Sequence, residues 1–222
     1  FDLENLSFPL DVKGKTVNAE LGRLKGSTSL NKNRLQHDIT AKLMGGNATI
    51  KGNLSLKETG LPDAVDTHLN LEHIDLAWIQ GIKKGDWIPT SGKLDSDLGI
   101  KGPLPENPDS PIKIRAAGTI TANKLLLGTG EKKNTLESAK ITLKDSSADL
   151  TKALIELTKI KTAGLQFKKI QTNFKISPKQ IDLTEGHIWP NNGQLDLVGT
   201  FQPPSGAYRL KFKGDKLKVE DF

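Results

Sequence analysis

Apolar and polar residues alternate along this chain with a period of two. From Asn47 to Leu56, positions 48, 50, 54 and 56 are Ala, Ile, Leu and Leu, while Asn47, Thr49, Lys51, Asn53 and Ser55 lie between them. Side chains two apart share one side of an extended chain, so the pattern predicts a β-strand with one dry face. The alternation returns at Leu35, Ile39, Ala41 and Leu43, at Leu94, Leu98 and Ile100, and at Ile112, Ile114, Ala116 and Ile120. It continues through Ile141 and Leu143, then Ile170, Phe174 and Ile176, then Leu195, Leu197 and Phe201, and ends at Leu210 and Phe212. Turn signals such as Asn31-Lys32-Asn33, Gly45-Gly46, Gly128-Thr129-Gly130, Ser177-Pro178 and Pro203-Pro204-Ser205-Gly206 separate the runs. Counting shorter stretches, about thirteen strands are expected.

Two stretches carry a second reading. Leu150, Ala153, Leu154 and Leu157 fit helical spacing from Ser146 or Ser147, but Ala153, Ile155 and Leu157 also alternate, and a strand is the expectation. Leu76 to Ile82, with Trp78 and Ile79, is placed as a short helical turn between strands.

Thirteen strands at about 4.8 Å spacing make a sheet roughly 60 Å wide, too wide to stay flat. The predicted fold is therefore all-β: a long, curled, mainly antiparallel sheet whose apolar faces gather on the concave side. That space is either filled, as in a sandwich or closed β-solenoid, or left as a half-open groove. Seven Phe, three Trp and one Tyr are few large plugs for a wide interior, and this tilts the expectation toward the groove.

Repetition supports a sheet built by accretion. Gly46-Asn-Ala-Thr-Ile-Lys-Gly52 and Gly193-Gln-Leu-Asp-Leu-Val-Gly199 place two glycines around the same alternation, and a looser copy starts at Gly92 and runs through Gly102 into Ile112 to Leu127. Sub-repeats over 35–90, 91–145 and 146–222 within one unit, 1–222, are expected.

Composition narrows the chemistry. The chain has no cysteine, so disulfides and thiol sites are excluded, and no apolar run approaches a membrane span. It opens at Phe1 without an initiator Met and is read as a portion of something longer. The net charge of +6 is too mild to suggest a nucleic-acid partner. It is also local: between Thr151 and Lys179 seven lysines face Glu156 alone, and the rest of the chain is balanced. Lys159, Lys161, Lys168, Lys169 and Lys175 are either a solvated face that discourages edge pairing or a patch for anionic headgroups and membrane surfaces.

Catalytic readings find little footing. The four histidines are His37, His68, His73 and His187, and the spacing of His68 and His73 suits neither a helical nor a strand ligand pair. No nucleophile elbow, phosphate loop or dinucleotide fingerprint occurs, so no enzyme activity, metal or cofactor is expected. Asp95 and Asp97 share a strand face with Lys93 and Lys101, which reads as a charged outer surface rather than a glycosidase pair. Three Asn-x-Ser/Thr triplets, at Asn5, Asn47 and Asn53, read as incidental.

The succession Gly45-Gly46-x-Ala48-x-x-x-Gly52, Leu69-x-Leu71-x-x-Ile74-Asp75-Leu76, Ser91-Gly92-x-Leu94-x-x-x-Leu98-x-Ile100-x-Gly102 and Ala117-Gly118-x-Ile120 resembles the AsmA-like family of bacterial envelope proteins. Ile181-Asp-Leu183, then Asn192-Gly193-x-Leu195-x-Leu197-x-Gly199-x-Phe201, Tyr208-x-Leu210 and Leu217-x-Val219, is similar to the terminal module of that family. The resemblance implies a non-catalytic, bridge-like lipid-transfer groove in the periplasm, attached to the inner membrane by a segment absent from this chain. It further implies phospholipid or another acyl lipid as cargo, bacterial membranes and further modules of the same protein as partners, and a role in outer-membrane biogenesis.

On that reading, acyl chains lie against the apolar face. The candidate lining is Ile50, Leu54, Leu98, Ile100, Ile112, Ile114, Phe174, Ile176, Leu195, Leu197, Leu210 and Phe212. Two alternatives stay open: an assembly scaffold for outer-membrane proteins that offers its sheet edge to an added strand, and a filled β-solenoid acting as an adhesin or carbohydrate binder.

Overall fold

A computed structural model describes residues 1–12, 15–81, 88–107, 110, 112–128, 133–147, 149–162 and 164–216. Leu217, Val219, Ile82, Thr129 and Gly130, invoked above, lie outside the described residues. The chain forms one antiparallel sheet of thirteen strands in chain order, with no crossover. The strands are β1 (Asp2–Val12), β2 (Lys15–Asn31), β3 (Arg34–Leu43), β4 (Gly46–Leu56), β5 (Pro62–Asp75), β6 (Pro89–Pro103) and β7 (Arg115–Leu127). They continue as β8 (Asn134–Ser147), β9 (Thr151–Thr162), β10 (Leu165–Ile176), β11 (Ile181–Pro190), β12 (Gln194–Gln202) and β13 (Ala207–Asp215). Strands β1 and β13 stand at opposite edges, so the sheet is open and curled rather than closed into a barrel.

The one helical piece among the described residues is a 3-10 turn, Ala77–Gly81, within the stretch placed as a turn from its sequence. The ambiguous stretch around Leu154 is strand β9. Its inner residues Ala153, Ile155 and Leu157 pair with Leu143, Ile141 and Ala139, while Leu154 falls on the other face, opposite Thr142. Ile112 and Ile114 precede β7, which begins at Arg115. The sub-repeat boundary at 90/91 falls at the start of β6 and that at 145/146 near the end of β8.

The glycine repeat has a steric reason. A Cβ on Gly193 or Gly199 would meet the carbonyl oxygen of Asp215 or Arg209 at 2.5 Å, closer than real Cβ atoms approach. Gly46 and Gly52 stand the same way against the carbonyls of Glu72 and Asp66. In both copies the glycines let the following strand close in.

Strict alternation breaks along one line, and the backbone repairs it. Lys124 and Lys159 adopt left-handed conformations inside strands, with φ of 52° and 48°, and Gly92 in β6 has φ of 137°. Each lysine turns the chain so that apolar residues three apart stay on one side: Ala122 with Leu125, and Leu157 with Ile160. His73, at φ 58°, does the same for Leu71 and Ile74 in β5. The result is a second apolar tier. Leu76, Leu125, Leu127, Leu136 and Ile160 are buried and pack with Leu94, Ala122, Ala139, Leu157, Phe167 and Ile170, while Ile79 of the 3-10 turn covers part of the cluster. Burying each such side chain is worth roughly 1.5–3 kcal/mol, so this lip is where the sheet gains most from packing.

Candidate functional site

The ladder pairs place the candidate lining on a common face. Directly opposed residues share a face of the sheet, and one cross-strand row runs Ile39, Ile50, Leu69, Leu98, Gly118, Leu143, Ala153, Phe174, Leu183, Gly199 and Leu210. A parallel row carries Ala48, Leu71, Ser96, Ile120, Ile141, Ile155, Thr172, Gly186, Leu197 and Phe212. Leu54 and Ile100 extend this face in β4 and β6, Ile176 in β10 and Leu195 in β12. Ile114 shares its parity with the inner-facing Ala116, and Ile112 lies two residues further out.

None of these twelve side chains is buried. Leu54, Leu98, Ile100, Ile114, Phe174, Leu195 and Leu197 are half-buried, and Ile50, Ile112, Ile176, Leu210 and Phe212 are exposed. Phe212, for example, leaves 60% of its surface accessible. An apolar face thus spans the strands from β3 to β13 and is left accessible. Hydroxyls interrupt it, among them Ser96 and Thr172, which stand in one row, are 7% exposed and have oxygens with no hydrogen-bond partner.

The opposite face is polar and cross-braced. Lys51 meets Asp38 at 3.0 Å, Lys101 meets Asp66 at 3.1 Å, and Arg115 meets Asp145 at 2.9 Å. His68 lies 2.9 Å from Asp97 and His73 3.0 Å from Asp95, which also accepts the His73 backbone N–H at 2.8 Å, so both carboxylates are engaged by neighbouring residues on the outer surface. His187 lies between Asp196, at 2.8 Å, and Glu185, at 3.4 Å. Hydrogen bonding to Asp196 raises the His187 pKa above its ordinary value, and Gln194 and His187 together lower that of Asp196. On the inner face, His37 contacts the hydroxyl of Thr67, which stands opposite Ile100, at 3.1 Å. Among the described residues no group of three potential ligands could hold a metal ion, and no helix is long and apolar enough to cross a membrane.

The five lysines do not form one patch. Lys169 is committed to the outer face, 3.2 Å from Glu156 and 5.6 Å from the Trp189 ring centre. Lys175 stands opposite Lys152 near the far end of β10. Lys159 and Lys168 hold bracketed positions on neighbouring strands at the lip and engage different partners: Lys159 pairs with Glu137 at 2.6 Å and Lys168 donates to the Asn191 carbonyl at 2.7 Å. Lys161 lies two residues beyond, opposite Gln166.

The sequence reading missed Lys124, which the register aligns with Glu137, Lys159 and Lys168. The signal for it was apolar spacing of three, Ala122 to Leu125, inside a run of alternation. It also missed the lip cluster, for the same reason. Comparison with protein families, with curated proteins and with solved structures finds no match for this chain.

Proposed function

We propose that this chain is a non-catalytic lipid-binding module of a bacterial envelope protein of the AsmA-like kind, holding the acyl chains of phospholipid on its inner face on the way between inner and outer membranes. The observation that carries this reading is the apolar face kept in register across the sheet and left accessible. Each methylene moved from water onto such a face gains about 0.8 kcal/mol when fully buried, so a single acyl chain supplies ample affinity without pocket chemistry. Most strands offer Leu, Ile or Phe at one of two equivalent rows, so a chain moving along the face exchanges apolar contacts for similar ones. Headgroups stay in water at the lip. In this reading the module works in the periplasm, tied to the inner membrane by a segment outside this chain and extended by further modules of the same protein.

The accessible inner face weighs against a filled solenoid that acts as an adhesin. Strand β13 favours a second reading: all of its residues are exposed, including Tyr208 at 75%, as suits a scaffold that accepts an added strand.

The two readings separate with a pair of substitutions. Ile100→Asp with Ile114→Asp puts two carboxylates on the inner face far from β13, which should abolish acyl-lipid pickup while the far-ultraviolet dichroism of the sheet persists. Unchanged pickup in the folded double variant would remove the groove assignment.

A further inference from the structure

Lys124, Glu137, Lys159 and Lys168 stand in one cross-strand row at the lip. The pairs Asn123 with Ser138 and Leu125 with Leu136 bracket the first contact, Ser138 with Thr158 and Leu136 with Ile160 the second, and Lys169 with Thr158 and Phe167 with Ile160 the third. Every member of the row is next in sequence to an apolar residue of the lip: Leu125, Leu136, Ile160 and Phe167. The left-handed backbone at Lys124 and Lys159 produces this, sending the lysine out while its neighbour returns to the apolar side.

The row is short of negative charge. The register brackets Lys159 and Lys168 at opposed positions on neighbouring strands, with the Lys159 ammonium turned to Glu137 and that of Lys168 to the Asn191 carbonyl. Glu137 contacts Lys159, Lys168 reaches only a neutral carbonyl, and Lys161 adds a further cation two residues away. Three lysines on β7, β9 and β10, at backbone positions about 5 to 15 Å apart by strand spacing, stand beside an apolar surface and together offer what an acyl lipid with an anionic phosphate needs at its two ends.

Resting on the acyl-lipid reading above, we propose that Lys124, Lys159 and Lys168 seat the phosphate of an anionic lipid headgroup, so that the groove selects anionic over zwitterionic phospholipid. The phosphate offsets the surplus positive charge of the row, and a choline or ethanolamine cation on the same headgroup would restore it.

The test loads the purified chain from equal amounts of phosphatidylglycerol and phosphatidylcholine and classifies the bound lipid by mass spectrometry. The wild-type chain should be enriched in phosphatidylglycerol. The variant K124Q/K159Q/K168Q should take up as much total lipid with its preference reduced by roughly 30- to 150-fold, the effect of two to three lost surface cations. The control K140Q/K152Q/K175Q removes the same charge from elsewhere on β8 to β10 and should keep the preference. An unchanged preference in the first variant, or an equal loss in the control, overturns the assignment. So does lipid uptake without any preference in the wild type, which leaves the groove standing. A wild-type chain that takes up neither lipid refutes the groove and this seat together. Glycerol phosphate, which has the phosphate and no acyl chain, should displace nothing; displacement would assign the row to a soluble phosphate ester instead.

Discussion

Replacing Lys124 by glycine should stabilise this protein, although glycine normally weakens a strand. Lys124 sits inside β7 with φ of 52°. A left-handed conformation costs an L-residue roughly 1–2 kcal/mol, and glycine adopts it freely. Against this stands glycine's greater loss of chain entropy on folding, about 0.5–1 kcal/mol. The balance is a gain of about 0.5–1 kcal/mol for Lys124→Gly. Lys140, also exposed, lies in β8 and carries no positive φ, so Lys140→Gly meets only the entropic loss and should be destabilised by about 0.5–1 kcal/mol. Lys159→Gly should gain less than Lys124→Gly, because it also gives up the exposed contact with Glu137, worth about 0–1 kcal/mol. Urea denaturation of the three variants measures all of this, with midpoints moving in opposite directions for positions 124 and 140 and slopes unchanged. Equal destabilisation at both positions would refute the account of how the lip is formed.

Leu136→Ala, in the buried lip cluster at 7% exposure, should lose about 2–4 kcal/mol in the same assay, whereas Leu210→Ala on the edge strand, 45% exposed, should lose less than about 1 kcal/mol. The cluster around His187 should give a pH signature. Because the folded-state pKa of His187 is raised above its ordinary 6.5, its contribution is fully present below that value and fades as pH rises through the higher folded value. The stability difference between wild type and His187→Gln should therefore be larger in mildly acidic buffer than in mildly alkaline buffer, read from urea midpoints across that range. A difference that grows with pH contradicts the assignment of Asp196 and Glu185 as its partners.

Period-two alternation made the strands legible because a one-sided sheet forces it. Ile50, Leu98, Phe174 and Leu210 were readable as one face for the same reason, and the ladder pairs join them in one row. What alternation hid was the lip. Leu125 and Ile160 are out of phase with Ala122 and Leu157, and the left-handed Lys124 and Lys159 between them restore the face, while Leu136 and Ala139 in β8 keep the same spacing of three without one. A lysine in that conformation carries no local mark, unlike a glycine, so the turn in the backbone was invisible. Charge clustering had a similar limit. Sequence proximity grouped Lys169 and Lys175 with Lys159 and Lys168, but pairing between strands separates them and brings in Lys124 from β7. The glycine pairs 46/52 and 193/199 were visible as a repeat, and their cause, the close carbonyls of the following strand, needed the structure.

The most direct test of the lipid-groove account is the native mass of the chain purified from a bacterial envelope, measured before and after organic extraction. The account predicts a lipid-sized excess that extraction removes and that anionic phospholipid restores. A mass equal to that of the bare chain both before and after extraction, with none regained on exposure to phospholipid, would contradict it.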